Sequence, residues 1–143
     1  MATIVGFYYA NTVLAAPSSS VAQSPVRVLL SNVGSYPTVV AAAGLSVSGS
    51  ALTTAGASRY RIVPSAGSGL AVQALVSGAW TTVRDGLTSP ATFTPGSGIL
   101  QLVRANGVVA GYRGTIAGVL SGSSVLTVNT VGLDDYVRGV APN

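Results

Sequence analysis

The chain has 143 residues, a length that suits one domain, since a domain of about 150 residues buries about 70% of its unfolded surface. Only 7% of the residues are charged and 48% are hydrophobic, so Ser, Thr, Gly and Ala must cover most outward positions. The sequence contains no Lys, Glu, His or Cys, which excludes thiol and Ser–His nucleophiles, an ordinary zinc site and a P-loop lysine. We therefore expect neither a metal nor a cofactor.

The formal net charge of +4 would suit anionic partners, but a generic solvated surface is the favoured interpretation. The arginines are spread along the chain apart from the pair Arg59 and Arg61, and aromatic residues make up only 6% of the sequence. Nucleic-acid binding normally needs many phosphate contacts or aromatic stacking platforms, so we expect no nucleic-acid partner. No uninterrupted run of 18 apolar residues occurs, and we expect no transmembrane segment.

The amino-terminal residues form a segment distinct from the rest of the chain. Residues 1–16 are mostly apolar, but no Lys or Arg precedes the apolar run as in a signal peptide. The aromatic residues at positions 7–9 favour a short arm that packs on the domain. Residues 17–25 are rich in Ser and Pro, which is typical of an exposed linker. We assign residues 26–143 to a single β-rich domain.

From residue 26 onward, apolar residues alternate with a period of two, and turn residues recur at short intervals. This pattern predicts an all-β fold, either a small barrel or a sandwich of antiparallel hairpins. In the first strand, Val26, Val28 and Leu30 are expected to face inward. Weaker strands are predicted over 38–42 and 45–52. A better alternated strand over 58–63 places Tyr60 and Ile62 on one face and the two arginines on the other.

Three hairpins follow. The first joins 70–76 to 79–83 across Ser77-Gly78, ends at Asp85-Gly86 and is expected to use Trp80 as a core anchor. The second joins 99–104 to 108–113 across Asn106-Gly107, a pair typical of a type I′ turn. The third joins 115–120 to 125–128 across Ser121-Gly122. We expect the last two hairpins to form one meander.

The apolar spacing changes at the carboxyl end, where Leu133–Val140 is predicted as one short helix. Asp134 and Asp135 lie in its first turn, and Arg138 lies four residues after Asp134. Paired carboxylates can act as general acid and base. Neighbouring helix positions point about 100° apart, however, so a capping or salt-bridging role is favoured over catalysis.

Aromatic side chains are a further candidate for binding, because exposed rings on a sheet can stack on sugars. Tyr60, Trp80 and Tyr112 are the candidates within the β-rich part of the sequence. Since large residues are scarce, we favour a place in the core for most of them.

Three segments carry a resemblance to a known family. They are Gly111–Thr115 (GYRGT), Leu126–Asn129 (LTVN) and Leu133–Pro142 (LDDYVRGVAP). In this order and spacing they resemble the stage II sporulation protein D family, which includes the amidase-enhancer proteins. Weaker similarity lies in Val26–Leu30, which is similar to the first strand of such domains. Residues 4–12 are similar to the preceding segment of actinobacterial members.

The resemblance implies an extracellular or cell-wall protein that meets the glycan strands of peptidoglycan. Family members are lytic transglycosylases that use one glutamate, placed directly after a V-x-P-x step. Here that step ends at Asn143 and the sequence has no Glu. We therefore expect the amino-terminal portion of such a domain, either a natural truncation or an excised fragment, that binds glycan without cleaving it. The candidate binding residues are Tyr136, Arg138, Asp134, Asp135, Tyr112 and Arg113.

An alternative reading belongs to another functional class. A β-rich chain of low charge, with an apolar arm behind a linker, could add that arm to the sheet edge of a neighbour, as in coat, fibre or virion subunits. Residues 1–24 would then mediate homo-oligomer formation. Residual lytic activity is a third hypothesis, and it requires that Asp134→Asn or Asp135→Asn abolish the lysis.

Overall fold

The computed structural model describes residues 2–4 and 25–133. These residues form thirteen β-strands. In chain order the strands are β1 (Ala2–Ile4), β2 (Pro25–Leu30), β3 (Thr38–Val40), β4 (Ser46–Val47), β5 (Ser50–Ala51), β6 (Ala57–Pro64), β7 (Leu70–Val76), β8 (Ala79–Leu87), β9 (Ala91–Thr94), β10 (Ile99–Val103), β11 (Val109–Arg113), β12 (Thr115–Ser121) and β13 (Ser124–Gly132).

The strands form two antiparallel sheets. The seven-stranded sheet has the order β1-β2-β13-β12-β9-β4-β5, and the six-stranded sheet has the order β11-β10-β3-β6-β7-β8. The sheets contact each other mainly where β6 lies against β12 and β13. The predicted all-β class is confirmed, and of the two predicted architectures the structure shows the sandwich.

The core lies between the two sheets. Its largest fully buried side chains come from both of them, among them Phe93 and Ile116 on one side and Tyr60, Ile62 and Leu102 on the other. The predicted alternation is confirmed in β2, where Val26, Val28 and Leu30 are buried and Arg27 is exposed. It is confirmed in β6 as well, because Tyr60 and Ile62 enter the core and the two arginines do not.

Several strand boundaries differ from the prediction. The segment predicted as one strand over 45–52 folds back on itself as the short hairpin β4–β5. Strand β8 does not end at Asp85-Gly86 but continues to Leu87, with register shifts against β7 that accommodate the extra residues. Strand β9 was not predicted, because four residues between turns give too short a period-two signal.

The predicted type I′ turn at Asn106-Gly107 is wrong, although the hairpin itself is confirmed. Only Gly107 has a positive φ, and the loop closes through the bond from the Gly107 nitrogen to the Arg104 oxygen at 2.8 Å. A three-residue loop that ends in a left-handed glycine explains this geometry. Paired positive φ values occur instead at Ser48-Gly49 and Ser77-Gly78, between directly paired strands.

The last two hairpins do not form one meander, because β10–β11 belongs to the six-stranded sheet and β12–β13 to the seven-stranded sheet. The chain crosses from one sheet to the other at Gly114, which has φ +82°. A Cβ atom there would overlap the carbonyl oxygen of Thr130. Glycine is thus required at the end of the Tyr112-Arg113-Gly114 motif for both conformation and space.

The predicted helix over Leu133–Val140 lies outside the described residues, except for Leu133. The linker over 17–25 and most of the arm over 1–16 also lie outside them. Strand β1 of the arm pairs antiparallel with β2, from Ala2 opposite Leu30 to Ile4 opposite Val28. Across the ranges 2–4 and 25–133, no helix has the length and apolar character needed to cross a membrane.

Candidate functional site

The outward side of the six-stranded sheet collects polar, aromatic and basic side chains. Alternation along β6 directs Arg59 and Arg61 away from the core, and the register places Gln73 of β7 opposite Arg61. We call this surface the arginine face. Its outward members include Arg59, Arg61, Gln73, Trp80, Gln101 and Arg113.

Trp80 belongs to the arginine face and not to the core, so its prediction as a core anchor is wrong. The two-residue turn at Ser77-Gly78 pairs Trp80 with Leu75, which in turn lies opposite Arg59. Since Ala74 is fully buried, its neighbour Leu75 points outward and Trp80 points outward with it. The indole is half-buried by its neighbours on the sheet surface.

Arg61 is the centre of the arginine face. Its guanidinium carbon lies 4.1 Å from the ring centroid of Trp80 and 5.4 Å from that of Tyr36. Both distances are within the range of a cation–π contact. The Arg61 Nε atom donates a hydrogen bond to Gln73 Oε1 at 2.8 Å. Two rings and one amide therefore fix the plane and the direction of this guanidinium.

The environment of Arg61 changes its titration but not its charge at neutral pH. Desolvation by its neighbours lowers the pKa of the guanidinium, and the Tyr36 phenol acts in the opposite direction. An arginine starts from so high a pKa that it stays protonated. The arginine face thus presents a permanent, partly desolvated cation.

No carboxylate of residues 25–133 neutralises this face. The only aspartate in that range, Asp85, accepts hydrogen bonds from Ser65 Oγ at 2.6 Å and from its own neighbour, the Gly86 nitrogen, at 2.8 Å. These two bonds lower the pKa of the Asp85 carboxyl. Arg59, Arg61 and Arg113 have no acidic partner there, so their charges are available to a ligand.

Of the predicted binding residues, the structure describes Arg113 and Tyr112. Arg113 is exposed on the arginine face, at the outer strand β11. Tyr112 points the other way, packs against the core and lies with its hydroxyl 3.4 Å from Arg104 Nη2. The alternation along β11 thus gives Tyr112 the core position that the sequence favours for most of the aromatic residues, and its role as a glycan contact stays a prediction. Asp134, Asp135, Tyr136 and Arg138 lie outside the described residues.

Tyr60 is likewise a core residue, as favoured from the sequence, and its hydroxyl accepts a hydrogen bond from the Thr54 nitrogen at 2.9 Å.

Arg61, Gln73 and Tyr36 were missed as site residues. Two signals in the sequence point to Arg61 and Gln73, and none points to Tyr36. The alternation of β6 separates Arg61 from the core, and a two-residue turn at Ser77-Gly78 fixes Trp80 on the same face as Gln73.

Within the described part of the chain, no cluster of three metal-ligating side chains occurs. No protein-family model, curated protein or solved structure matches this chain.

Proposed function

We propose that this protein is a non-catalytic domain that binds the glycan strands of peptidoglycan through the arginine face. The observation that carries the proposal is the cluster of Arg61, Trp80 and Tyr36 on the outward side of the six-stranded sheet. The resemblance to the stage II sporulation protein D family supports a wall glycan as the ligand.

The chemistry of the face suits a polysaccharide. Indole and phenol edges offer apolar surface to sugar rings, and guanidinium and amide groups offer directed hydrogen bonds. Six strands at about 4.8 Å spacing make the face roughly 24 Å wide across the strands. An extended chain of sugars can therefore contact several residues of the face at once.

The acid chemistry of residues 25–133 supports binding without cleavage. A transglycosylase must protonate a glycosidic oxygen, usually with a carboxylic acid whose pKa is raised by burial. Asp85 is exposed, and its hydrogen bonds with Ser65 and Gly86 shift its pKa in the opposite direction. It is therefore ionised at neutral pH and has no proton to donate.

The test is co-sedimentation of the purified chain with peptidoglycan sacculi, followed by mass spectrometry of the supernatant for anhydro-sugar fragments. We expect the protein to sediment with the sacculi without release of fragments. The double variant Arg59→Gln, Arg61→Gln should lose most of the binding, whereas Arg27→Gln on the opposite sheet should retain it. The proposal would be refuted if the unaltered protein did not sediment with the sacculi, or if the double variant and Arg27→Gln bound equally well. Release of anhydro-sugar fragments would refute the non-catalytic part of the proposal.

A second candidate function, a self-assembling structural subunit, is favoured by the pairing of β1 with β2. This pairing shows that the amino-terminal arm can add a strand to the edge of the seven-stranded sheet. The same edge of another copy offers the same hydrogen bonds, so exchange of β1 between copies would build an oligomer.

The assembly function is tested by deletion of residues 1–24 and light scattering over a range of protein concentrations. Assembly through the arm predicts concentration-dependent oligomers that disappear on deletion. A full-length protein that stays monomeric at every concentration would argue against it. The glycan-binding proposal does not depend on this result, because the arginine face lies on the other sheet.

A further inference from the structure

We infer that the arginine face selects anionic saccharides, and this inference rests on the proposed function. The two terminal nitrogens of Arg61, Nη1 and Nη2, donate hydrogen bonds to two oxygens of one carboxylate or phosphate. This inference goes beyond glycan binding, because it specifies the chemical group that the arginine face recognises. It follows from the geometry around Arg61 and from the charge balance of the face.

The first step is the direction in which Arg61 is free to bind. A guanidinium can take a two-oxygen anion through its Nε side or through its two terminal nitrogens. The Nε side is engaged by Gln73 Oε1 at 2.8 Å, and the guanidinium carbon lies over the rings of Trp80 and Tyr36. The terminal Nη1 and Nη2 atoms have no partner among residues 25–133. They form the one open, planar fork of this side chain.

The second step is the preorganisation of that fork. An exposed arginine loses much rotational freedom when it grips a ligand. Here the hydrogen bond from Arg61 Nε to Gln73 Oε1 and the two ring contacts hold the guanidinium before a ligand arrives. A site that is ordered in advance binds more tightly than a flexible one with the same contacts.

The third step is the surrounding charge. Arg59 lies two residues from Arg61 on the same side of β6, about 7 Å along the strand. Arg113 is exposed at the outer strand β11, and no aspartate of residues 25–133 pairs with any of the three. Arg59 and Arg61, which have no carboxylate partner among residues 25–133, repel each other, and a neutral sugar would leave that repulsion in place. An anionic saccharide relieves it.

The anion has two sources in a bacterial wall. Carboxylates belong to the peptidoglycan itself, and phosphates belong to phosphodiester polymers attached to it. Four preparations of sacculi separate these sources. They are untreated sacculi, sacculi with carboxyls converted to neutral amides by carbodiimide and ethanolamine, sacculi stripped of phosphodiester polymers by hydrofluoric acid, and sacculi given both treatments.

Apparent affinities are measured by depletion of the full-length protein from the supernatant. We expect the affinity for doubly treated sacculi to be lower than the affinity for untreated sacculi by about tenfold or more. The two single treatments show whether the protein binds the carboxylate or the phosphate. Binding to untreated sacculi that persists at equal affinity after both treatments would overturn the inference but leave the proposed function intact. Absence of binding to every preparation would overturn both.

The fork is tested with Arg61→Lys, which keeps the charge but cannot bind two oxygens in one plane. We expect this variant to lose about tenfold in affinity for untreated sacculi while its affinity for doubly treated sacculi stays the same. The matched control is Arg27→Lys on the other sheet, which should bind like the unaltered protein. Circular dichroism checks that each variant is folded. Equal affinity of Arg61→Lys and the unaltered protein would refute the role of the fork.

Discussion

Asn129 is a polar residue in the core and holds the point where the chain crosses between the sheets. Its side-chain nitrogen donates to the carbonyl oxygens of Arg113 and Thr115, both at 2.9 Å, on either side of Gly114. Replacing Asn129 by Ala removes both hydrogen bonds from a site that is only 7% exposed. We expect the free energy of unfolding to fall by about 2 kcal/mol, measured by urea denaturation followed by circular dichroism.

Thr127 provides the matched comparison on the same strand. It is 2% exposed, and its buried hydroxyl oxygen has no hydrogen-bond partner among the residues that the structure describes. Thr127→Val keeps the shape and removes the unpaired hydroxyl, so we expect the free energy of unfolding to rise by about 1 kcal/mol. A loss of stability in Thr127→Val, or no loss in Asn129→Ala, would contradict this account of the core.

Asp85 predicts how stability depends on pH. The hydrogen bonds from Ser65 and Gly86 lower the pKa of the folded carboxyl below its usual value of 3.8. A lowered pKa stabilises the folded state above the unfolded pKa, and this contribution is lost as the pH falls through the folded pKa. We expect Ser65→Ala to weaken the decrease in melting temperature below about pH 4. Melting curves of both proteins at neutral and acidic pH, recorded by circular dichroism, test this, and parallel decreases would argue against it.

At the scale of single residues, the sequence indicates the outward side of β6 correctly but misplaces Trp80. Arg59 and Arg61 were placed well because polar and apolar residues alternate clearly in that strand. Trp80 was assigned by size and hydrophobicity, whereas its position follows from the register of the β7–β8 hairpin. Contacts such as that of Arg61 with Tyr36 join a loop to a strand, and no local pattern predicts them.

At the scale of the elements, the turns give the sharpest test. Ser77 has φ +51° in the two-residue turn between β7 and β8, where a residue with a Cβ is strained. Asn tolerates this conformation better than Ser. We expect Ser77→Asn to raise the free energy of unfolding by up to about 1 kcal/mol, measured by thermal and urea denaturation.

The control for this substitution is Ser123→Asn in the turn between β12 and β13. That turn places its positive φ at Gly122, and Ser123 does not share it. Asn at position 123 therefore relieves no strain, and we expect no gain in stability. Equal effects of the two substitutions would show that the turn conformation is not the cause.

The elements also show which parts of the fold a sequence can predict. The three hairpins were located because strand, turn and strand are neighbours in the chain. Their distribution over two sheets was not predicted, because it depends on the crossing at Gly114 and on pairings between distant segments. The pairing of β3 with β10 and of β4 with β9 brings together strands roughly fifty to sixty residues apart.

At the scale of the whole molecule, the two sheets are joined at one edge by Arg84. Its Nη2 atom donates to the Ala51 oxygen on β5 at 2.8 Å, which links the last strands of the two sheets. We expect Arg84→Ala to lower the free energy of unfolding by about 1 kcal/mol, measured by urea denaturation. Arg27→Ala removes an exposed arginine that makes no such link, and it should leave stability unchanged. Equal losses would indicate a general effect of charge.

The net charge of the chain does not show how the charged residues are distributed over the molecule. A net charge of +4 on 143 residues is modest. The strand register nevertheless brings Arg59, Arg61 and Arg113 from two distant strands to one surface of the six-stranded sheet. Arg113 is far from the other two in the sequence, and only the topology places it on the same face as Arg59 and Arg61.

The position of Trp80 has a practical consequence, because it is the only tryptophan in the chain. The emission of an indole depends on charges close to its ring, and the Arg61 guanidinium carbon lies 4.1 Å from the centroid of this one. A ligand that binds Arg61 and shifts its guanidinium must therefore change the emission spectrum of Trp80. The protein contains its own optical probe for the arginine face, so soluble wall fragments can be titrated without attaching a dye.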